Sequence, residues 1–254
     1  MTSQAIAGRQ DAAAYMEWVA GLSGGARYKQ RAHELLQLRP GLRVLDAGCG
    51  PGTDLEHLRR GVVPGGLVLG LDRDEQMLVR ARTQSSEQSL AAGDLESLPI
   101  ADEQFDRVLT DRVLQHVSSP RSSLHELRRV CRPGGLAVIC EPDWGALVVE
   151  SVHSWASDAF VRYTLDHVVR NPVVGRQIGR LGSETGWTRE VVEVMPTAFT
   201  DFETADRLVG LGRNSASAVA HGYLHQHERS EWLADLMDGP LYVCATLVIT
   251  CLRN

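Results

Sequence analysis

The chain has 254 residues, enough for one α/β unit that carries insertions. With 26 Lys and Arg against 32 Asp and Glu, its net charge of -6 argues against a protein that tracks a phosphate backbone, although a local basic pocket for a small anion stays open. Apolar residues make up 43% of the chain, yet no apolar run approaches a membrane span and nothing near the start reads as a secretion signal. Cys49, Cys131, Cys140, Cys244 and Cys251 are odd in number and form no CxxC pair, which points to a reducing cytoplasm without a disulfide framework.

In chain order, the stretch before Leu42 reads as helices bearing Tyr15, Trp18 and Tyr28. From 42 to 143, short apolar runs (43–46, 67–72, 105–110 and 136–140) alternate with helical patterns at 54–60, 75–82 and 122–130. Such alternation implies βαβ units and a parallel sheet with helices on both faces. Pro64-Gly65-Gly66 and Pro133-Gly134-Gly135 read as breaks between elements. Beyond Trp144 the spacing predicts helices at 154–170 and 174–181, a strand at 191–195, helices over 204–236, and a β-branched final strand at 241–252. The expected fold class is α/β in a single domain over 1–254. Its core is expected at 38–144, 187–200 and 240–254, with a helical cap from 1–37, 145–186 and 201–239.

The strongest chemical signal is Val44-Leu45-Asp46-Ala47-Gly48-Cys49-Gly50-Pro51-Gly52-Thr53-Asp54, which leaves the first strand and enters a helix. Glycines let the backbone approach a ligand, and a helix N-terminus offers free N–H groups. A dinucleotide fingerprint would want Gly or Ala where Thr53 stands, so GxGxG disfavours a nicotinamide oxidoreductase. Asp72 ends the next strand, where a carboxylate can accept both hydroxyls of a ribose. Gly93-Asp94-Leu95 follows, with a carboxylate able to accept from an exocyclic amine. Any one of these aspartates alone reads as a cap or turn residue; three at consecutive strand ends point to a nucleoside site.

On these motifs, together with Gly70-Leu71-Asp72-Arg73-Asp74-Glu75-Gln76-Met77-Leu78, Val113-Leu114-Gln115-His116-Val117 and Arg132-Pro133-Gly134-Gly135, the stretch 44–144 resembles the class I S-adenosylmethionine-dependent methyltransferases. Within them it is similar to the small-molecule group of ubiquinone and menaquinone biosynthesis. The resemblance implies a Rossmann-like, seven-stranded, mostly parallel sheet with an antiparallel last strand and helical cap insertions. It implies S-adenosyl-L-methionine as cofactor, with Gly48 and Gly50 against its methionine part, Asp46 supporting the loop, Cys49 among the binding residues and Asp72 on the ribose. Arg73, Met77, Gly93, Asp94 and Leu95 would lie around the adenine, and Asp111, Arg112 and Val113 near the transferred methyl. Asn-Pro-Pro-Tyr and Asp-Pro-Pro-Tyr are absent after the fourth strand, which lowers the case for DNA and glutamine acceptors.

A general base is needed only where the acceptor loses a proton. Asp143, leaving the fifth strand, and His116, after the fourth, are the candidates; the structural alternatives are a helix-capping aspartate and a backbone-bonded histidine. His221, His225 and His227 invite a metal reading, but no Cys or carboxylate completes a ligand set, so no metal is expected. Arg170, Arg176, Arg180 and Arg213 are candidates for an anionic substrate, with solvated surface charge as the alternative. The expected partner is a small-molecule methyl acceptor, natural-product or quinone-like, with no nucleic acid, no membrane span, and homodimerisation open. The competing readings are a protein that holds the cofactor for cyclisation or sensing, and methylation of a peptide N-terminus.

Overall fold

The computed structural model describes residues 12–84 and 89–254. Helices α1 (Ala12–Gly21) and α2 (Ser23–Leu35) precede β1 (Arg43–Ala47), α3 (Leu55–Val62), β2 (Leu67–Asp72), α4 (Glu75–Gln84), β3 (Ser89–Ala92), β4 (Phe105–Asp111), α5 (Pro120–Val130) and β5 (Cys131–Pro142). Then come a short 3-10 turn (Trp144–Ala146), β6 (Val148–Val149), α6 (Ser154–Tyr163), a π-turn (Thr164–Val168), α7 (Val174–Glu184) and β7 (Thr188–Phe199). Helices α8 (Phe202–Val209), α9 (Leu211–Ala220) and α10 (Gln226–Asp238) lead to β8 (Val243–Arg253).

The strands form one sheet in the order β3-β2-β1-β4-β5-β8, with β7 on the far side of β8. Strands β1 to β5 pair in parallel, while β8 runs antiparallel to both β5 and β7. This is the expected Rossmann-like sheet with an antiparallel last strand. Its one addition is the two-residue β6, which continues the β5 side of β8 against Val243 and Cys244.

Alternation along the strands builds two cores. Leu45, Ala47, Val108, Ala137 and Ile139 face α5 and α7, while Val44, Leu109, Val138, Cys140 and Ile249 face α2 and α3. The cap helices have a third core of their own around Phe160 and Trp232, whose rings lie 5.2 Å apart. The indole of Trp232 has no exposure, and its N–H donates to Ser157 Oγ at 2.9 Å, so its one polar atom is satisfied.

Three boundaries differ from the sequence expectation. The helix expected over 154–170 is regular only to Tyr163 and continues as the π-turn. The region 204–236 is three helices, because Gly210 takes a left-handed φ of 72° and His221 to His225 form a separate turn. Pro133-Gly134-Gly135 lies within β5, at a register shift that jumps from Phe105↔Cys131 to Arg107↔Leu136.

Candidate active site

The carboxyl ends of β1, β2 and β4 open onto a cavity of about 760 Å³, roofed by α1, α2 and the cap. It is lined by Asp46, Gly48, Cys49, Gly50, Asp72, Arg73, Met77, Asp94, Leu95, Asp111, Arg112, Val113 and His116. Gly93 and Asp143 do not line it. A Cβ on Gly93 would meet Leu71 and Pro99 at 2.9 Å, so this glycine serves close packing behind the site.

The glycine loop is bent so that Gly48 and Gly50 have φ of 81° and 53°. A Cβ on Gly48 would collide with Val113, so the loop after β4 packs directly on this backbone. Asp72 faces the loop: Oδ2 accepts from the Gly50 N–H at 2.8 Å and Oδ1 from the Asp74 N–H at 2.9 Å. Burial raises its pKa in spite of those bonds. Asp94 Oδ1 accepts from the Glu96 N–H at 2.9 Å, an Asx turn that holds it at the rim.

Beneath the loop lies a charge network whose members the sequence reading did not combine. Lys29, on α2, reaches the carboxylates of both Asp54 and Asp111, the latter at 2.9 Å. Tyr28 donates to Asp111 Oδ2 at 2.9 Å, and His33 Nε2 lies 2.8 Å from Asp54 Oδ1. Burial lowers the affinity of Lys29 for its proton, but Asp111 and Asp54 outweigh it and hold the ammonium well above the usual lysine range. Burial would raise Asp54; the neighbouring Lys29 and His33 outweigh it and push the carboxyl down. Asp46, 2% exposed, is raised by burial, and its Oδ2 has no partner among the described residues.

Glu141 is the other residue the sequence reading did not assign. Fully buried at the end of β5, it accepts from the N–H groups of Val113 and Leu114 on Oε1, at 2.7 and 2.5 Å, and from Gln115 on Oε2 at 3.3 Å. It shapes the post-β4 loop that carries Arg112 and His116. Its only sequence signal is its place at the carboxyl end of β5, beside the Asp111↔Cys140 pair.

The two candidate bases part company. His116 lines the cavity, and burial, with Arg73 and Arg112 nearby, lowers its pKa to about 4, so the ring is neutral at neutral pH. Asp143 is a capping residue: Oδ1 accepts from the Gly145 N–H at 3.2 Å, and Oδ2 pairs with Arg176 at 2.5 Å. The structure therefore directs Asp143 away from the cavity. Among the arginines, Arg170 bonds Ser118 Oγ, Arg180 pairs with Glu184, and only Arg213 of the four lines the cavity. Tyr15 and Tyr28 line it too, whereas Trp18 lies under Arg207 at 4.1 Å. His221 ends α9 and His225 begins α10, so they do not share a helical face. Among the described residues no cluster fit to hold a metal occurs, and no helix is long and apolar enough to cross a membrane.

A doubly wound sheet with a glycine loop and acidic residues at successive strand ends defines a nucleoside-binding enzyme fold. The methyltransferase domain family matches residues 45–139. A 37.1 kDa protein of transposon TN4556 from Streptomyces fradiae is 39% identical over 94% of this chain and 70% of its own length. A malonyl-[acyl-carrier protein] O-methyltransferase from Erwinia billingiae is 36% identical over 73% of this chain and 70% of its own length. The phosphoethanolamine N-methyltransferase 2 of Haemonchus contortus, solved with S-adenosyl-L-methionine, superposes with a TM-score of 0.57 at 16% identity, over 94% of this chain and 56% of that one. The chain belongs to the S-adenosylmethionine-dependent methyltransferases, and its cofactor is S-adenosyl-L-methionine.

The cavity fits that cofactor on its own terms. Asp46 Oδ2 is a buried oxygen without a hydrogen-bond partner among the described residues, and Met77 and Leu95 give apolar walls against which a purine can pack.

Proposed function

We propose that this enzyme methylates a small, largely apolar molecule held between the glycine loop and the helical cap. The observation that carries this reading is the continuity of the cavity: it runs from Gly48 and Asp72 to Val19, Leu22, Val168, Phe199 and Val209 of the helices and strand ends above. Bound at the glycine loop, S-adenosylmethionine supplies an electrophilic methyl group. The loop at Gly48 and Gly50 would hold its methionine part, Asp72 the ribose, and Asp94, Met77 and Leu95 the adenine. Arg73 stands at the rim beside them. The protein's remaining work is to align the acceptor and exclude water. Val113 and Trp144 help close the chamber, and the Trp144 indole is fixed by donating to Gln115 Oε1 at 3.0 Å.

His116 is the group we assign to take a proton where the acceptor must lose one, because it lines the chamber in its neutral form. Asp143 is assigned a capping role instead. The test is a metabolite panel, with malonyl thioesters included because of the Erwinia relative, screened by mass spectrometry for a methyl gain. A panel of apolar acids, phenols and quinols that yields no methylated product, while short peptides are methylated at their N-termini, would overturn the small-molecule reading.

Three results are expected at this site. Asp72→Ala should weaken S-adenosylhomocysteine binding by about 1–3 kcal/mol, read by calorimetry, and unchanged affinity would remove Asp72 from the ribose. His116→Asn should lower kcat on a proton-losing acceptor by roughly 10²-fold or more with little change in KM. In the natural enzyme the acid limb of kcat/KM should fall near pH 4, where the ring takes up its proton and stops accepting another.

A further inference from the structure

Arg112 stands out within the cavity. It occupies the residue after β4, with a left-handed φ of 58° that side chains rarely adopt, and its N–H donates to Cys140 O at 2.8 Å. The strained backbone turns the residue back over the strand ends, where it lines the chamber. Its side chain makes no hydrogen bond among the described residues. The nearest carboxylate oxygen, Asp111 Oδ1, is 3.4 Å from Nε, and both atoms are buried without a hydrogen-bond partner. The other oxygen of Asp111 is already shared by Tyr28 and Lys29. Oδ2 of the aspartate is thus served by another cation, while the guanidinium, ion-paired only through Nε with Asp111 Oδ1, leaves its planar fork of donors without a hydrogen bond among the described residues, in a chamber it shares with Asp46, Asp72 and His116.

We propose that Arg112 is a carboxylate receptor: its guanidinium pairs with a carboxylate that a ligand brings into the cavity. The inference rests on the reading of this cavity as the methyl-transfer site. A half-buried guanidinium whose Nε is buried without a hydrogen bond is costly, and a bidentate carboxylate supplies the matching acceptors. Two ligands carry such a group: the amino-acid tail of the cofactor, and an acidic acceptor.

Calorimetry on the whole chain and on Arg112→Met separates them. If the cofactor tail is the partner, Arg112→Met weakens S-adenosylhomocysteine at least tenfold and leaves 5′-methylthioadenosine, which lacks the tail, unchanged. If the acceptor is the partner, S-adenosylhomocysteine binds both chains alike. With it saturating, octanoate binds the natural chain at least tenfold better than octanol, and Arg112→Met loses that preference. Arg112→Lys, which keeps the charge but not the fork, should fall between the two in either case, and it serves as the test if Arg112→Met does not fold. The proposal is overturned if the variants bind S-adenosylhomocysteine as the natural chain does and the natural chain shows no preference for octanoate over octanol. Failure of the natural chain to bind S-adenosylhomocysteine at all would instead overturn the reading of the cavity.

Discussion

Glu141→Ala should cost about 3–5 kcal/mol of stability and disorder the loop after β4, because it strands backbone N–H groups in the core and leaves a void. The expectation follows from geometry: a fully buried carboxyl accepts from three successive N–H groups, of Val113, Leu114 and Gln115. Burial pushes its pKa up to about 8, against the lowering effect of those bonds. Oε1 takes the two short bonds, at 2.7 and 2.5 Å, and Oε2 only the long one, so Oε2 is the oxygen that can carry a proton. The folded chain binds that proton more tightly than the unfolded chain does. The stability it contributes is therefore fully present below the ordinary glutamate range and is lost as the pH rises through about 8. Glu141→Gln mimics the protonated acid, so its urea-unfolding free energy should decline less between about pH 5 and about pH 9 than that of the natural chain. Equal slopes for the two proteins would show that Glu141 is ionised throughout.

Lys29→Met should destabilise the fold by about 3–5 kcal/mol at neutral pH, since it leaves Asp54 and Asp111 buried without their shared cation. The direction with pH is the useful part. In the natural chain the carboxyl of Asp54 is depressed, so its stabilising share is present above the ordinary aspartate range and fades as pH falls through its lowered value. In the variant the stranded carboxylates gain stability by taking up protons. The gap between the two proteins should therefore narrow on acidification. Urea titrations at about pH 7 and about pH 5 check this, and a variant as stable as the natural chain at neutral pH would refute the network as a structural unit.

The glycine-loop side of the cavity was readable because its residues are contiguous in short motifs. Asp46, Gly48 and Gly50 lie on one turn, and Asp72 and Asp94 follow at the next strand ends, so spacing alone brings them together. Lys29, His33 and Glu141 were not readable in the same way. Each works through a partner far along the chain, and a lysine on an amphipathic helix looks the same whether it meets solvent or two carboxylates. Asp143 is the opposite case. An aspartate leaving a strand beside the site suits a base or a cap equally, and in the structure it accepts from the Gly145 N–H and pairs with Arg176 from a helix further on. The cap was legible as helices but not as three of them, since a single left-handed glycine and a histidine-rich turn carry little periodic signal.

The reversed direction of β8 has a consequence for how the enzyme comes into being. Because β8 runs against β5, its early residues Ala245, Thr246 and Leu247 arrive at the same rim as the late residues of the parallel strands and complete the chamber wall. The nucleoside half is assembled from neighbouring segments and carries small closure entropy, whereas this wall waits on pairings between segments remote in sequence. The glycine-loop side of the cavity can thus form early on a folding or emerging chain. The wall at Ala245, Thr246 and Leu247 is finished only when β8 has paired with β5 and β7, so on the proposed function methyl transfer awaits the completed sheet.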